Sequence, residues 1–172
     1  MKITFKLVFA VVAFSLCCNI SAQNQKIAHI SMDELIMSMP EYDSATVKLE
    51  RIRQDLINIL DEMQVEFKKK QDELSKNQAN MTEIVKQARN EELASMYQRI
   101  QAREQSAQET IQQEEVKLMQ PILEKSNKAI EAVAKEQGVS YVISANPQII
   151  LYKAVGTLDL LPLVKKHLGI TK

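Results

Sequence analysis

The fold of this chain is decided by residues 41–120, which read EYDSATVKLERIRQDLINILDEMQVEFKKKQDELSKNQANMTEIVKQARNEELASMYQRIQAREQSAQETIQQEEVKLMQ. The stretch contains no Gly and no Pro, and it is rich in the straight-chain residues that lose little entropy in a helix. As a single helix it would be about 120 Å long, at ~1.5 Å per residue, and no globular core could cover that length. The stretch therefore predicts a long coiled coil or a hairpin of two long helices.

Apolar residues recur along this stretch at spacings of three and four, which places them on one narrow helical face. The first half contributes Leu49, Ile52, Leu56, Ile59, Met63, Phe67 and Leu74. The second half holds the period less well, with Ile84, Ala88, Tyr97, Ile100, Ala107, Ile111 and Leu118. Lys70, Glu104 and Glu114 fall where a tight coiled coil would have leucine, so the predicted seam is thin.

A polar segment, residues 75–83, separates the two halves of the stripe. Its Ser and Asn residues favour turns and caps over helix interiors, and Asn80 or Thr82 is suited to cap a second helix. We therefore expect the chain to reverse near residues 77–81 and to form an antiparallel hairpin, the arm, over residues 43–120. An uninterrupted coiled coil through this point is the alternative.

Residues 1–22 have the pattern of a cleavable secretory signal peptide. Lys2 and Lys6 precede a short apolar run, and small Ala22 ends a cleavage site before Gln23. A lipoprotein signal is the rival interpretation because Cys17 and Cys18 follow the run, but neither cysteine is preceded by the small residue that such a signal requires. We predict simple cleavage after Ala22 and a periplasmic protein.

Cleavage would remove both cysteines, so the mature chain would have no disulfide and no thiol chemistry. Two of the 22 basic residues would leave with it, and 20 would remain against 22 acidic residues. This near-neutral balance argues against nucleic-acid binding. It leaves contact with lipopolysaccharide or a membrane surface open but gives such contact no support.

The two ends of the chain predict a small body, so the predicted fold class is α+β. Residues 23–42 would supply a strand at 26–32 and a short helix up to Pro40. Residues 121–172 would supply the end of a long helix up to Gly138, strands at 140–145 and 148–152, and a closing helix capped by Thr157. Pro121 is the predicted flexing point where the arm meets the body.

So small a body, without a disulfide or a metal cluster, is expected to need oligomerisation for stability. The predicted strands of the body, such as the one at 148–152, carry apolar residues on both faces, which favours an interface between copies. The predicted interface residues are Ile27, Ile30, Val142, Ile143, Ile150 and Leu151.

The order of these elements resembles the Skp (OmpH-like) family of periplasmic chaperones. The resemblance rests on the signal peptide, Lys26-Ile27-Ala28, the helical hairpin, Tyr141 to Asn146, Ile150 to Tyr152 and a closing helix from Asp159. It implies a homotrimer joined through a shared β-body, the trimerisation domain. It also implies ATP-independent holding of unfolded outer-membrane β-barrel proteins in a cavity between the arms, with no cofactor.

This chain departs from the family pattern in two respects. The best-known members are strongly basic, whereas this chain is near neutral. Ser144 also stands where many relatives have Asp, which leaves the role of that position open.

Residue types that would indicate an enzyme are sparse. His29 and His167 lie far apart in sequence, and a half-exposed structural role is expected for each. We expect no catalytic residues, no metal site and no cofactor. The expected contacts with an unfolded client are Met81, Met96 and Tyr97 on the arm. The alternative function is a structural or adaptor envelope protein whose coiled-coil hairpin docks a partner.

Overall fold

The computed structural model describes residues 25–146, 148 and 150–170, so the predicted signal peptide lies outside the described residues. The elements in chain order are β1 (Ile27–Ile30), α1 (Met32–Met37), α2 (Pro40–Asn77), a 3-10 turn (Gln78–Asn80), α3 (Glu83–Glu136), β2 (Tyr141–Ser144), β3 (Leu158–Asp159) and α4 (Leu161–His167). The fold class is α+β, as predicted, with a small sheet and a long helical hairpin.

The arm consists of α2 and the first two-thirds of α3, which pack against each other along their length. The chain reverses at the 3-10 turn, so the structure excludes the uninterrupted coiled coil. Thr82 caps α3, because its hydroxyl accepts a hydrogen bond from the Val85 N–H at 3.4 Å. The polar residues before it therefore end one helix and begin the next.

Helix α2 begins earlier than the expected residue 43, at Pro40. Proline suits the first helical position because its missing N–H would be unsatisfied there anyway. Met39, the residue before it, is almost fully buried and fixes the root of α2 against the body. The short helix α1 is capped by Ser31, whose hydroxyl accepts from the Glu34 N–H.

The sheet has the order β2-β1-β3, and β1 pairs in parallel with both neighbours. Ala28 and Ile30 point from the central strand into a core. The buried residues that complete this core are Leu35, Ala129, Val133, Leu160, Leu161 and Val164. One face of the sheet is therefore covered by helices α1, α3 and α4.

The predicted strand at 148–152 is wrong. Residues 150–154 form a loop, and the third strand is Leu158–Asp159, which was expected to begin the closing helix. The Leu160 N–H donates to the His29 carbonyl at 2.9 Å, so the second edge of β1 is occupied by this later segment. A strand needs a neighbouring strand with a free edge for its hydrogen bonds, and β3 already occupies the edge of β1 that the 148–152 segment would need. Pro147 and Ile149 lie outside the described residues.

Helix α4 likewise begins at Leu161 and not at Thr157. The Asp159 carboxylate accepts a hydrogen bond from the Leu161 N–H at 2.9 Å. Asp159 therefore caps the start of the helix, the role expected of Thr157. Pro162 lies in the first turn, as the sequence suggested.

His29 differs from the expected half-exposed residue, because it is 6% exposed in the middle of β1. Both ring nitrogens are buried and have no hydrogen-bond partner among the described residues, and Nδ1 lies 3.8 Å from Asp159 Oδ1. A central strand is covered from both edges, which the sequence of β1 alone does not reveal. His167 is exposed at the end of α4.

Among the residues that the structure describes, none of the helices combines the length and the apolar character that a membrane crossing requires. The same residues contain no group of three His, Asp or Glu side chains arranged to hold a metal ion.

Candidate functional site

The seam between α2 and α3 is the main surface that the arm builds. Ile100 and Ala107 of α3 are its most buried residues, with 6% and 5% exposed. Most of the remaining seam is only half-buried, including Leu56, Met63 and Phe67 of α2. Two helices alone cannot exclude water from both sides of one line of contacts, so the arm has a narrow and partly wet interface.

The α3 side of the seam differs from the predicted stripe. Ile84, Ala88 and Tyr97 are exposed, and Glu104 lies on the solvent face and does not interrupt the seam. The half-buried positions of α3 on this side include Lys86, Leu93, Met96, Arg103, Ile111 and Glu114. Helix α3 has several weakly apolar faces, and its packing against α2 determines which of them is buried. The sequence of α3 alone does not show which face that is.

A polar layer crosses the distal half of the seam. Lys70 of α2 donates to Glu92 of α3 at 2.5 Å, and Arg89 donates to the other oxygen of Glu92 at 2.8 Å. The hydrogen bond from Lys70, followed by that from Arg89, lowers the pKa of Glu92 below its ordinary value. The same bond raises the pKa of Lys70. A cavity of about 190 Å³ lies beside this pair, with Met63, Met96 and Ile100 in its wall.

The three predicted client contacts lie in different settings. Met81 is half-buried at the tip, next to the 3-10 turn. Met96 is half-buried and lines the cavity just described. Tyr97 is 52% exposed, and its ring lies 6.3 Å from that of Phe67 at an interplanar angle of 44°. The structure does not bring these side chains together at one site.

Helix α3 runs without a break through Pro121 and on into the body. Proline has no N–H, so the carbonyl of Lys117 lacks its partner one turn later within the helix. Below this point Ser126 is completely buried, donates to the Ile122 carbonyl at 2.8 Å and lies 3.1 Å from the Met39 sulfur. The predicted flexing point is thus a helical position with one hydrogen bond missing.

An ion pair joins the roots of the two arm helices. Lys125 of α3 donates to Glu41 Oε1, across 84 residues of sequence. This bond is the largest cause that lowers the pKa of the Glu41 carboxyl, followed by a bond from its own backbone N–H. Sequence analysis missed this pair, because no periodic signal relates a residue at the start of one helix to a residue late in the other.

The predicted interface residues divide into exposed and buried sets. Ile27, Ile143 and Leu151 are 53%, 40% and 93% exposed, whereas Val142 and Ile150 are half-buried. Ile30 is 3% exposed and belongs to the core of the single chain, so it has almost no surface left to give an interface. The reason is the alternation along β1, which directs residues 28 and 30 to the helices and residues 27 and 29 to the opposite face.

The body exposes further large apolar residues that were not predicted as interface. Tyr141 lies beside Ile143 on β2 and is 60% exposed. Tyr152 and Val155 lie in the loop between β2 and β3, with 84% of Tyr152 exposed and Val155 fully exposed. Exposed large apolar residues on a small body are a common feature of interaction surfaces.

One comparison with known proteins identifies the family, and another supports the fold. The sequence profile of the family described as "Outer membrane protein (OmpH-like)" matches residues 26–168. A search of curated protein sequences found no match. Among solved structures, a candidate outer membrane chaperone (OmpH-like) from Caulobacter crescentus CB15 is similar, with a TM-score of 0.73 over 83% of this chain and 82% of that chain. At 15% identity, this second likeness shows the fold.

Proposed function

The chain belongs to the OmpH-like family of outer membrane proteins, and from that premise we propose that it is an ATP-independent periplasmic holdase. In this proposal, three copies join through their bodies and hold unfolded outer-membrane β-barrel proteins in a cavity between their arms. Family and fold support a role of the chaperone type. To this role the proposal adds the holding activity, the trimer and the cavity.

The thin seam is the observation that carries the proposal. An arm whose interface contains Lys70, Glu92 and Glu114 has few apolar contacts to fix its two helices, so it can bend and splay more readily than a tight coiled coil. Walls that yield in this way suit clients of different sizes. Many weak contacts, spread over the arms and including Met81, Met96 and Tyr97, would let a client leave without ATP.

The surface of the body supports the trimer. Its sheet has only three strands, and the face opposite the helices exposes Ile27, Tyr141 and Ile143. A domain of this size gains much of its stability by covering such a face. The apolar loop residues Leu151, Tyr152 and Val155 would add to the same contact.

Aggregation of an unfolded outer-membrane β-barrel protein, diluted from denaturant, tests the holding activity. The mature chain at a few-fold molar excess should delay light scattering, and it should do so to a similar extent at low and at high salt. The salt result is expected because a near-neutral chain offers little net attraction for ions to screen.

Failure to delay aggregation at any salt concentration would reject the holdase and leave the docking-arm role, that of a structural or adaptor protein. Adaptor hairpins are flanked by further barrel or lipoyl-like domains. In the described part of this chain, the flanks form one three-stranded sheet and two short helices besides the end of α3.

A further inference from the structure

The cavity of about 190 Å³ in the seam of the arm is lined by a methionine from each of the two helices. Met63 belongs to α2 and Met96 to α3, and both side chains are half-buried. The cavity is larger than one water molecule requires, so a reagent little larger than water can enter it. Each arm helix therefore places a methionine at the same small space within the seam.

Other methionines of the chain lie in different settings. Met39 is 1% exposed in the body, and its sulfur lies 3.1 Å from the Ser126 hydroxyl. Met37 is 63% exposed on α1. An oxygen atom added to Met37 would face water, and one added to Met39 would have to enter a packed core. At Met63 and Met96 the oxygen would enter a contact between two helices that has space for it.

The chemistry that suits these two side chains is oxidation of a thioether to a sulfoxide. Cleavage after Ala22 would leave a mature chain without cysteine, so methionine would be its only sulfur-containing residue. A two-electron oxidant such as a hypohalous acid transfers one oxygen atom to the sulfur. With hypochlorous acid the products are the sulfoxide, chloride and a proton. The sulfur loses the two electrons that the chlorine gains, so the step needs no further reactant.

The wall of the cavity also suits the product. A sulfoxide oxygen is a hydrogen-bond acceptor, and a buried acceptor without a donor is costly. Lys70, Ser95 and Arg99 line the same cavity, and all three side chains carry donors. Lys70 uses one of its three N–H donors for Glu92. The added oxygen would therefore meet donors, while the apolar contact across the seam would be weakened.

We propose that Met63 and Met96 form a reversible oxidation site that loosens the arm. Methionine is a flexible apolar side chain that fills gaps, whereas its sulfoxide is polar, so oxidation removes apolar contacts from a seam that has few. The two helices then separate more readily, and reduction of the sulfoxides restores their contact. The site itself does not depend on the holdase function, but its consequence for clients, a wider range held after oxidation, rests on that function.

Limited oxidation of the mature protein with hypochlorous acid tests the site. Mass spectrometry of peptides should find a gain of about 16 Da on Met63 and on Met96 at doses of oxidant that leave Met39 unmodified. The melting temperature, followed by circular dichroism, should then fall by a few degrees. Two stereospecific sulfoxide reductases, one for each epimer, should remove the added mass and restore the melting temperature when a thiol reductant is supplied.

A matched pair of variants locates the effect. Leucine has nearly the volume of methionine and no sulfur, so the double variant Met63→Leu with Met96→Leu should fold as the unchanged chain does. Its melting temperature should not respond to the oxidant. Met37→Leu keeps both seam methionines and should respond as the unchanged chain does. The double variant keeps the other methionines of the mature chain, so their oxidation cannot explain a lost response.

Four results would overturn parts of this proposal. An equal fall in melting temperature in the double variant would place the effect at other residues and reject the site. Oxidation of Met37 while Met63 and Met96 stay unmodified would show that the oxidant does not reach the cavity. A melting temperature unchanged by oxidation of Met63 and Met96 would reject the loosening, and sulfoxides that the reductases cannot remove would reject the reversibility.

Aggregation assays separate the oxidation site from the holdase function. If the protein delays aggregation of no client, oxidised or reduced, the holdase is rejected, while the mass and melting results decide the site without a client. If it holds the same range of clients before and after oxidation, the holdase stands and the consequence for clients is wrong.

Discussion

At the scale of single residues, Lys70 decides how tightly the arm is held. It occupies a seam position on the same helical face as the half-buried Ile52 and Met63, where a coiled coil gains most from an apolar side chain. Its ammonium group instead pairs with Glu92 in a partly wet interface. Such a pair in a partly exposed seam gives less stability than packed apolar residues do.

Replacing this pair with apolar residues should stiffen the arm. The double variant Lys70→Leu with Glu92→Leu should raise the melting temperature by a few degrees and narrow the range of clients that are held, because apolar contacts replace an interaction that water weakens. Thermal melting by circular dichroism measures the first effect. Glu104→Leu is the control: its side chain is exposed, so melting should stay unchanged, and an equal rise in this variant would show that the seam is not responsible.

The same pair predicts a pH dependence in two directions. The pKa of Glu92 is lowered on folding, so its contribution is present above the ordinary carboxyl range, about pH 4, and is lost as the pH falls through the folded value. The pKa of Lys70 is raised, so its contribution is present below the ordinary amine range, about pH 10, and is lost as the pH rises through the folded value. The ion pair stabilises the unchanged protein only between these two limits. The difference in melting temperature between the double variant and the unchanged protein should therefore be smallest at neutral pH and should grow at low pH and at high pH, where the pair is broken. A constant difference at every pH would contradict this role of the pair.

The residues that form the seam could be predicted from sequence more reliably for α2 than for α3. The α2 stripe is the only strong apolar line on its helix, whereas α3 spreads its apolar residues over several faces. Sequence analysis placed Tyr97 in the seam and Glu104 as its interruption. In the structure Met96 faces α2, Tyr97 lies at the edge of the seam with its ring 6.3 Å from that of Phe67, and Glu104 faces water. Because the period of a helix does not divide evenly into heptads, a weak stripe can be assigned to the wrong face over several turns.

At the scale of elements, α3 belongs to two parts of the molecule. Its first two-thirds pair with α2, and its last turns bury Ala129 and Val133 in the core of the body. Pro121 lies between these parts, in a helix that remains continuous although one backbone hydrogen bond is missing. The join between arm and body is therefore a weakened helical turn.

Restoring that hydrogen bond should stabilise the protein and stiffen the join. Pro121→Ala should raise the free energy of unfolding by about 2 kcal/mol, the helix penalty of proline less the entropy that proline removes from the unfolded chain. Spin labels on cysteines introduced at Gln78 and Lys135 should also show a narrower distance distribution. Gln120→Ala, the neighbouring exposed position, should change neither quantity. A less stable Pro121→Ala variant would mean that the proline ring itself supports the packing.

The sheet shows the limit of predicting elements from sequence. The strand order and the length of β3 depend on which segment returns to the free edge of β1, and two residues, Leu158 and Asp159, are enough to occupy it. The Ile150–Tyr152 segment has the stronger strand composition, yet in the described part of the chain it pairs with no strand. The composition of a segment indicates its tendency to form a strand, but it does not show whether another strand has a free edge with which that segment can pair.

At the scale of the whole molecule, large apolar side chains are exposed on both the arm and the body, and the body exposes them on β2 and on the loop that follows it. Leu151 is 93% exposed, so a charge at this position costs the single chain almost nothing. In a trimer formed through the body, the same charge would be buried without a partner, at a cost of several kcal/mol. One substitution therefore separates folding from assembly.

We expect Leu151→Asp to give a folded monomer and the unchanged chain to give a trimer, as measured by sedimentation. Val65→Asp, at a 69% exposed position of the arm, should remain trimeric. Deletion of residues 50–112 removes matched lengths of the two arm helices and should also leave trimers. A monomer after that deletion would place the interface on the arms.

The continuity of α3 has a mechanical consequence. From Glu83 to Ile122 the helix is about 59 Å long, and from Ile122 to Glu136 it is about 21 Å, at ~1.5 Å per residue. The weakened turn at Pro121 lies next to the buried Ile122, so it divides the helix into an outer limb nearly three times as long as the inner one. A bend of about 5° at this turn would carry the tip about 5 Å sideways, for an outer limb with a rise of ~1.5 Å per residue. A small change of angle at the join is therefore a large displacement at the tip.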